Sequence, residues 1–322
     1  MKSENKLFWS PAVTWEASDG VLKVASFVMH TDYARLFPEF YSLCANGISE
    51  SDLLEHFCDE QRDRLRRFIR KLCKVHALTD CIQSIDEIFF FQKNLFQTEK
   101  KYDHTYFMKK DNVQKFAERS RNRQVIHGDE RIAVPVGEQQ AVFENRKSIR
   151  NFDTSRKTKL RDFMGMMQLF MKKPDESGYY YASAGGLYPL DAYVFVKEDC
   201  VEGLGSGLYY INPAGRCIEK IDNGKDFDED MHYAMNRSIY ARSAFSVFLV
   251  YNAEFSIPKY GGRAYYYALL DSGILVGNLN LAAECYSLGS CSIGDMNFRK
   301  IEKAFHLNNF QQYLHCVIFG NI

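Results

Sequence analysis

A chain of 322 residues has room for two domains of ordinary size or one large one. Apolar residues make up 46% and charged ones 25%, and Lys+Arg equals Asp+Glu at 41 each, so the global basic field of a nucleic-acid binder is absent. The opening MKSENKLFWSPAV has no apolar signal core, Asn278, Asn280 and Glu284 cut the longest apolar run, and nine scattered cysteines show no CxxC or Cys/His spacing. The expectation is therefore a cytoplasmic protein with reduced thiols, no membrane span, no nucleic-acid partner and no metal site.

In chain order, LFWSPAVTWEA and VLKVASFVMH read as two strands around the turn Ser18-Asp19-Gly20. ARLFPEFYSLCANG predicts a short helix closing at Asn46-Gly47. Ser49 is placed to cap a helix beginning in ESDLLEHF. The spacing Leu65, Phe68, Ile69, Leu72 marks the apolar face of the next helix, with arginines and lysines on its other face. A hairpin followed by short helices predicts a small winged-helix-like unit over residues 1–95. That unit either docks a peptide or protein or covers the next domain. Its charge run RDRLRRFIRK reads as a solvated helix face rather than a nucleic-acid groove. Residues 96–140 are weakly periodic and read as a connecting segment holding one helix.

From about Ala141 onward, helical and strand periods alternate. LRDFMGMMQLFM predicts a helix, DAYVFVK a strand, and GLYYINP with CIEKID a hairpin. AFSVFLVYNAE reads as a buried strand and YLHCVIFGN as a closing one. Between them, GRAYYYALLDSGILVGNLNLAAECYSLG predicts a long, nearly all-apolar helix, and so one buried on all sides. Gly273 and Gly277, one turn apart, would let another backbone approach, at the centre of a sandwich or across a two-fold interface.

Four stretches can carry chemistry. In ENRKSIRNF, Arg146, Ser148 and Arg150 alternate, so an extended backbone points all three one way, a suitable cradle for a phosphate. YYYASAGGLYP sets Gly185-Gly186, backbone without side chains, among large flat rings, with the Ser183 hydroxyl and Tyr188 beside it; something flat could lie there. No GxGxxG fingerprint is present, which excludes Rossmann-type recognition. SIPKYGGRAYYY puts Lys259 next to Tyr260 before a helix start, and either could accept a proton. SLGSCSIGDMNFRK reads as a helix stop, with Gly289 as a left-handed cap and Gly294 allowing a second turn, followed by the cations Arg299 and Lys300.

Taken in order, RxSxR, ASAGGLYP, KY and the long helix followed by GSCSIG resemble the nitroreductase-type flavoprotein superfamily. More narrowly they resemble its SagB/McbC-type azoline dehydrogenases, and they are similar to oxidase domains of nonribosomal peptide assembly lines. The resemblance covers roughly residues 141–322. It implies an α+β, nitroreductase-like fold, a mostly antiparallel sheet flanked by helices around a long central one. It implies a homodimer with FMN in each of two interface clefts. Arg146, Ser148 and Arg150 would meet the FMN phosphate and ribityl chain. Ser183, Ala184, Gly185 and Gly186 would lie against the ring. Ser290, Ser292, Ile293 and Gly294 would lie near its pyrimidine side or the phosphate, with Arg299 a further phosphate ligand. Lys259 and Tyr260 match the catalytic Lys-Tyr pair. The implied reaction is oxidation of a peptidyl thiazoline or oxazoline to the azole, with oxygen as electron acceptor. The substrate would be tethered to a carrier protein or belong to a ribosomal precursor peptide. Two other readings stand beside this one: an NAD(P)H-dependent nitroreductase or flavin reductase, and a non-catalytic scaffold subunit of a cyclising complex. The GDMN stretch departs from the family's Gly-Gly-Phe type turn. Asp295 could repel an anion there, which leaves open which of residues 295–300 meets the phosphate.

Overall fold

The computed structural model of the chain describes residues 6–24, 27–30, 34–57, 62–85, 88, 105–123, 132–133, 141–175 and 177–322. The N-terminal unit holds two small antiparallel sheets. In one, β1 (Lys6–Trp9) lies between β5 (Ile48–Ser49) and β6 (Leu78–Thr79); in the other, β2 (Trp15–Ser18), β3 (Val21–Val24) and β4 (Phe27–His30) form a meander. The expected turn is present: Ser18 pairs with Val21 across Asp19-Gly20, and Gly20 has φ 75°, as a two-residue hairpin requires. The two expected strands, however, are four. The first run divides between the two sheets at Pro11, which cannot donate into a ladder, and residues 21–24 pair back onto 27–30.

α1 (Phe37–Ala45) ends before Gly47, whose φ is 77°. Ser49 Oγ accepts from the Asp52 N–H at 3.0 Å and caps α2 (Glu50–His56). α3 (Arg62–Lys74) buries Leu65, Phe68, Ile69 and Leu72 against Trp9, Phe37 and Phe40, so this unit has a core of its own. Helices α1 to α3 share this core with the two small sheets. Of the connecting segment, residues 105–123 hold α4 (Lys110–Arg121), the single helix expected there; residues 86–87, 89–104, 124–131 and 134–140 lie outside the described part.

The C-terminal unit begins with α5 (Ala141–Asn145) and α6 (Leu160–Met167). Its sheet has six strands: β7 (Leu190–Val196), β8 (Gly207–Asn212), β9 (Cys217–Asp222), β10 (Phe245–Asn252), β11 (Leu288–Ile293) and β12 (Gln311–Asn321). Their order is β11-β12-β10-β7-β8-β9, and every pair is antiparallel. β10 sits centrally with all eight residues buried. Phe245, Val247, Leu249 and Tyr251 face one core, and Phe248 and Val250 the other. α7 (Ala234–Ala241) contributes Ile239 and Tyr240 to the second core. The long helix, α9 (Arg263–Cys285), follows the single turn α8 (Ile257–Tyr260) and covers the first face with Ala268, Leu275, Leu279 and Ala283.

Two expectations change. SLGSCSIG is not a helix stop and loop but edge strand β11, and the left-handed cap is Ser287 at φ 53°, not Gly289. Gly289 is small for another reason: a methyl group there would lie 2.9 Å from Ile149 Cβ and 2.7 Å from Ile322 Cγ2. Nor is α9 buried on all sides. Tyr266, Leu270 and Ile274 are 60%, 48% and 42% exposed, and Gly273 and Gly277 face open space. The apolar surface that sequence reading assigned to the interior forms an outward stripe on the single chain.

Candidate functional site

The stretch from Ser183 to Tyr188 folds as one tight turn that uses nearly all its own donors. The Ala184 N–H points at Asp271, the Gly186 N–H at Ser183 O (3.0 Å), the Leu187 N–H at Ala184 O (3.4 Å) and the Tyr188 N–H at Ser183 Oγ (2.9 Å). Among the described residues, the Gly185 N–H is the one amide between 184 and 188 left without a partner. Closing so short a loop requires left-handed backbone three times: Gly185 at φ 61°, Gly186 at 67° and Tyr188 at 50°. Glycine adopts this freely, while tyrosine does so at a cost. Tyr188 is held there by its rings of neighbours, 4.4 Å from Tyr179 and 5.4 Å from Tyr181 between centroids.

Lys259 and Tyr260 lie on this turn. α8 starts with Pro258 in its first turn and stops at Gly261, φ 54°, so both side chains leave one short helical turn. A methyl group on Gly185 would run into the Tyr260 hydroxyl and sit 2.7 Å from Lys259 Nζ. Lys259 Nζ stands 5.2 Å from the Tyr260 ring centroid, and Tyr267 packs edge-on against that ring at 5.0 Å. Gly186, by contrast, faces open space. The arrangement presents a phenol and an ammonium over a patch of bare backbone, with the adjoining glycine uncovered.

The arginine strip lies elsewhere, against β11. Ser148 bridges Ser290, and the Ile149 N–H donates to Ser290 O at 2.9 Å, so residues 148–149 meet the edge strand β11. Arg146, Ser148 and Arg150 are all exposed. Of the four residues expected from the stretch 290–294, three in β11 and Gly294 just after it, Ser290 is buried and donates to Asn280 Oδ1 at 2.9 Å, and Ile293 is a core side chain. Ser292 and Gly294 remain open. Arg299 lies beyond them, with Gly294 and Asp295, on the wall of a cleft of about 660 Å³ that also takes His76 and Cys81 from the N-terminal unit.

The structure therefore joins Lys259 and Tyr260 with Ala184–Gly186, and Arg146–Arg150 with Ser290–Ser292. Both groups hang on α9, at Asp271 and at Asn280, about 14 Å apart along the axis at 1.5 Å per residue. Sequence reading missed Asp271, Asn278 and Asn280 as site-building residues. Asp271 holds Ser183 and Ala184, Asn278 donates to Tyr180 O at 3.0 Å, and Asn280 holds Ser290. The available signal was their polarity inside an otherwise apolar helix.

The pattern of the Nitroreductase family matches residues 143–321, more than half of the chain. The Methanocaldococcus jannaschii protein MJ1384, named after the nitroreductases, is 29% identical over 166 residues, covering 50% of this chain and 82% of its own length. Among solved structures, a chain of the Escherichia coli microcin synthetase McbBCD complex with truncated pro-MccB17 bound superposes with a TM-score of 0.51 at 18% identity. The match covers 85% of this chain and 98% of that one, so the likeness in fold extends beyond the family segment. A Ralstonia eutropha structure with a nitroreductase name gives 0.46 at 18% identity, over 62% and 93%. The antiparallel sheet, its covering helix and the family match over residues 143–321 agree: this chain belongs to the nitroreductase family, whose chemistry is that of oxidoreductases.

Proposed function

We propose that the chain is an FMN-dependent dehydrogenase that oxidises a peptidyl thiazoline or oxazoline to the corresponding azole. The observation that carries this reading is the seat of Lys259 and Tyr260 on the bare turn at Gly185. A reductase that needs only a docked nicotinamide has no use for a phenol and an amine fixed at that point. An enzyme that must remove an acidic C–H proton has one.

The residues present fit FMN. Gly186 and Gly294 leave room in front of the backbone, and the Gly185 N–H is unspent. Arg146, Ser148 and Arg150 are exposed donors of the kind that suits a phosphate, and Ser292, also exposed, stands two residues after Ser290, which Ser148 bridges. FMN bound there would supply a two-electron acceptor for hydride from one carbon of the azoline ring. Tyr260 Oη removes the proton from the adjacent carbon, with Lys259 Nζ tuning that oxygen or replacing it. The two C–H bonds broken leave an aromatic ring. Oxygen is the terminal acceptor in this reading. Gly186 leaves open backbone where a flat ring could rest, Gly185 seats the Tyr260 hydroxyl and the Lys259 ammonium, and Ser183 acts by shaping the turn, since its hydroxyl is committed to Asp271 and to the Tyr188 N–H.

The exposed stripe Tyr266, Leu270, Gly273, Ile274, Gly277 supports a homodimer built across α9. We place a docking domain at residues 1–95, a connecting segment at 96–140 and the oxidase domain at 141–322. The substrate is a peptide, on a carrier protein or within a ribosomal precursor, met in the cytoplasm. The solved microcin synthetase complex is named with truncated pro-MccB17 bound.

The test is direct. The full chain reconstituted with FMN turns yellow and removes two hydrogens from a thiazoline thioester, read by mass spectrometry. Lys259→Ala and Tyr260→Ala keep the yellow colour and lose turnover by about 10²-fold or more, the scale of general-base catalysis. Undiminished turnover in both variants removes the pair from the mechanism. Rapid bleaching by NADPH with no azoline turnover makes the protein a reductase, and a chain that takes up no FMN is left as a scaffold.

A further inference from the structure

Asp271 is 3% exposed on a helix that is otherwise nearly apolar. A carboxylate so placed is costly unless its oxygens are bonded. Both are. Oδ2 accepts from Ser183 Oγ–H at 2.6 Å, Oδ1 accepts from the Ala184 N–H at 3.1 Å, and that amide also lies 3.3 Å from Oδ2. No ion pair of Asp271 occurs among the described residues, so hydrogen bonds from one turn account for its burial. The turn in question is the bare backbone on which Lys259 and Tyr260 rest.

The circuit is short. Asp271 holds Ser183, Ser183 Oγ holds the Tyr188 N–H, and the loop between them is forced into its left-handed conformations. Asp271 also shares a continuous piece of chain with the catalytic pair. α8 carries Lys259 and Tyr260, Gly261 and Gly262 join it to α9, and the two helices are in contact. α9 thus holds the turn through Asp271, while α8, joined to it by Gly261 and Gly262, sets the phenol and amine on the same turn.

We propose that Asp271 is the positioning residue of this site: it holds the 183–188 turn on which Lys259 and Tyr260 rest and keeps a buried carboxylate beside the place where the flavin would bind. The inference rests on the FMN reading above and deepens it. Asn in this position offers a single acceptor oxygen, so one of the two bonds is lost; Leu loses both. Removing the charge also makes an electron-rich reduced ring easier to accommodate.

Asp271→Asn, Asp271→Leu and Ser183→Ala in the full chain test it by three measurements. In the FMN-free protein, amide exchange at Ala184 and Tyr188 accelerates in the Asp271 variants, while exchange in β10 stays unchanged. FMN titration gives a dissociation constant about tenfold weaker for Asp271→Leu, as expected for losing a charge-assisted bond. In reconstituted Asp271→Asn, the midpoint potential of the flavin rises, a change that a merely structural role would not produce. Ser183→Ala combined with Asp271→Asn costs less affinity than the two separately, because they break one circuit. Wild-type exchange, affinity and potential in Asp271→Asn overturn the proposal. A wild-type chain that binds no FMN overturns the cofactor reading, and the exchange measurement then judges the anchor by itself.

Discussion

Gly185 and Gly289 show how differently two glycines can be required. Gly185 is needed for its backbone, at φ 61°, and for the space that the Tyr260 hydroxyl fills. Its place among flat side chains made that legible from the sequence. Gly289 has an ordinary strand conformation and is required by its neighbours, Ile149 and Ile322, which no local pattern reveals. We expect Gly289→Ala to destabilise the fold by about 1–3 kcal/mol, the usual cost of overpacking, read as a lower melting temperature. An unchanged melt would mean that residues 148–149 can move off β11 freely. Ser183 and Ser290 were expected to meet a ligand, yet their hydroxyls are engaged by Asp271 and Asn280. Residue type identified the segment, and hydrogen-bond partners decided which atoms remain available.

At the scale of elements, α9 does most to build the site. Its inner side packs Ala268, Leu275, Leu279 and Ala283 on the sheet. Three polar residues pin three segments, and its outer stripe is open. Apolar periodicity located the helix to within a few residues but could not tell burial by the chain itself from burial by a second copy. Both select the same residues. Leu270→Lys puts a charge at the centre of that stripe. We expect it to turn a dimer into a monomer, measured by light scattering during gel filtration, with little change in the folded core. A dimer that survives this change is not built on α9. β11 escaped prediction for a related reason. Its small polar residues, Gly289, Ser290 and Ser292, look like loop, and pairing with β12 overrides that propensity.

For the molecule as a whole, the acid side of the stability profile is set in part by His232. It is 1% exposed, neither ring nitrogen has a partner among the described residues, and burial, helped by Lys197, lowers its pKa to about 4. The unfolded chain takes up a proton near pH 6.5 that the folded one refuses. Stability is therefore complete above pH 6.5 and declines progressively as pH falls towards about 4. Lys197, lowered to about 8 mainly by burial, adds nothing to this slope, since its window lies above pH 8. We expect His232→Phe to flatten the fall in melting temperature between pH 6.5 and 4 relative to wild type; an identical slope would show that the ring gains its proton without unfolding.

The sequence by itself determined what local chemistry can encode. The Asp19-Gly20 turn, the Ser49 cap, the buried β10, the long helix and the four motif stretches are all written in neighbouring residues, whose spacing carries the physics. Only the tertiary structure decided how those stretches meet. Lys259 and Tyr260 rest on Gly185, residues 148–149 meet β11, and Asp271 and Asn280 hold the two groups at separate levels of one helix. These contacts join residues up to 142 positions apart, as between Ser148 and Ser290, and are set by sheet order and helix packing. A buried carboxylate carries no mark in the sequence of which distant amide it will bond.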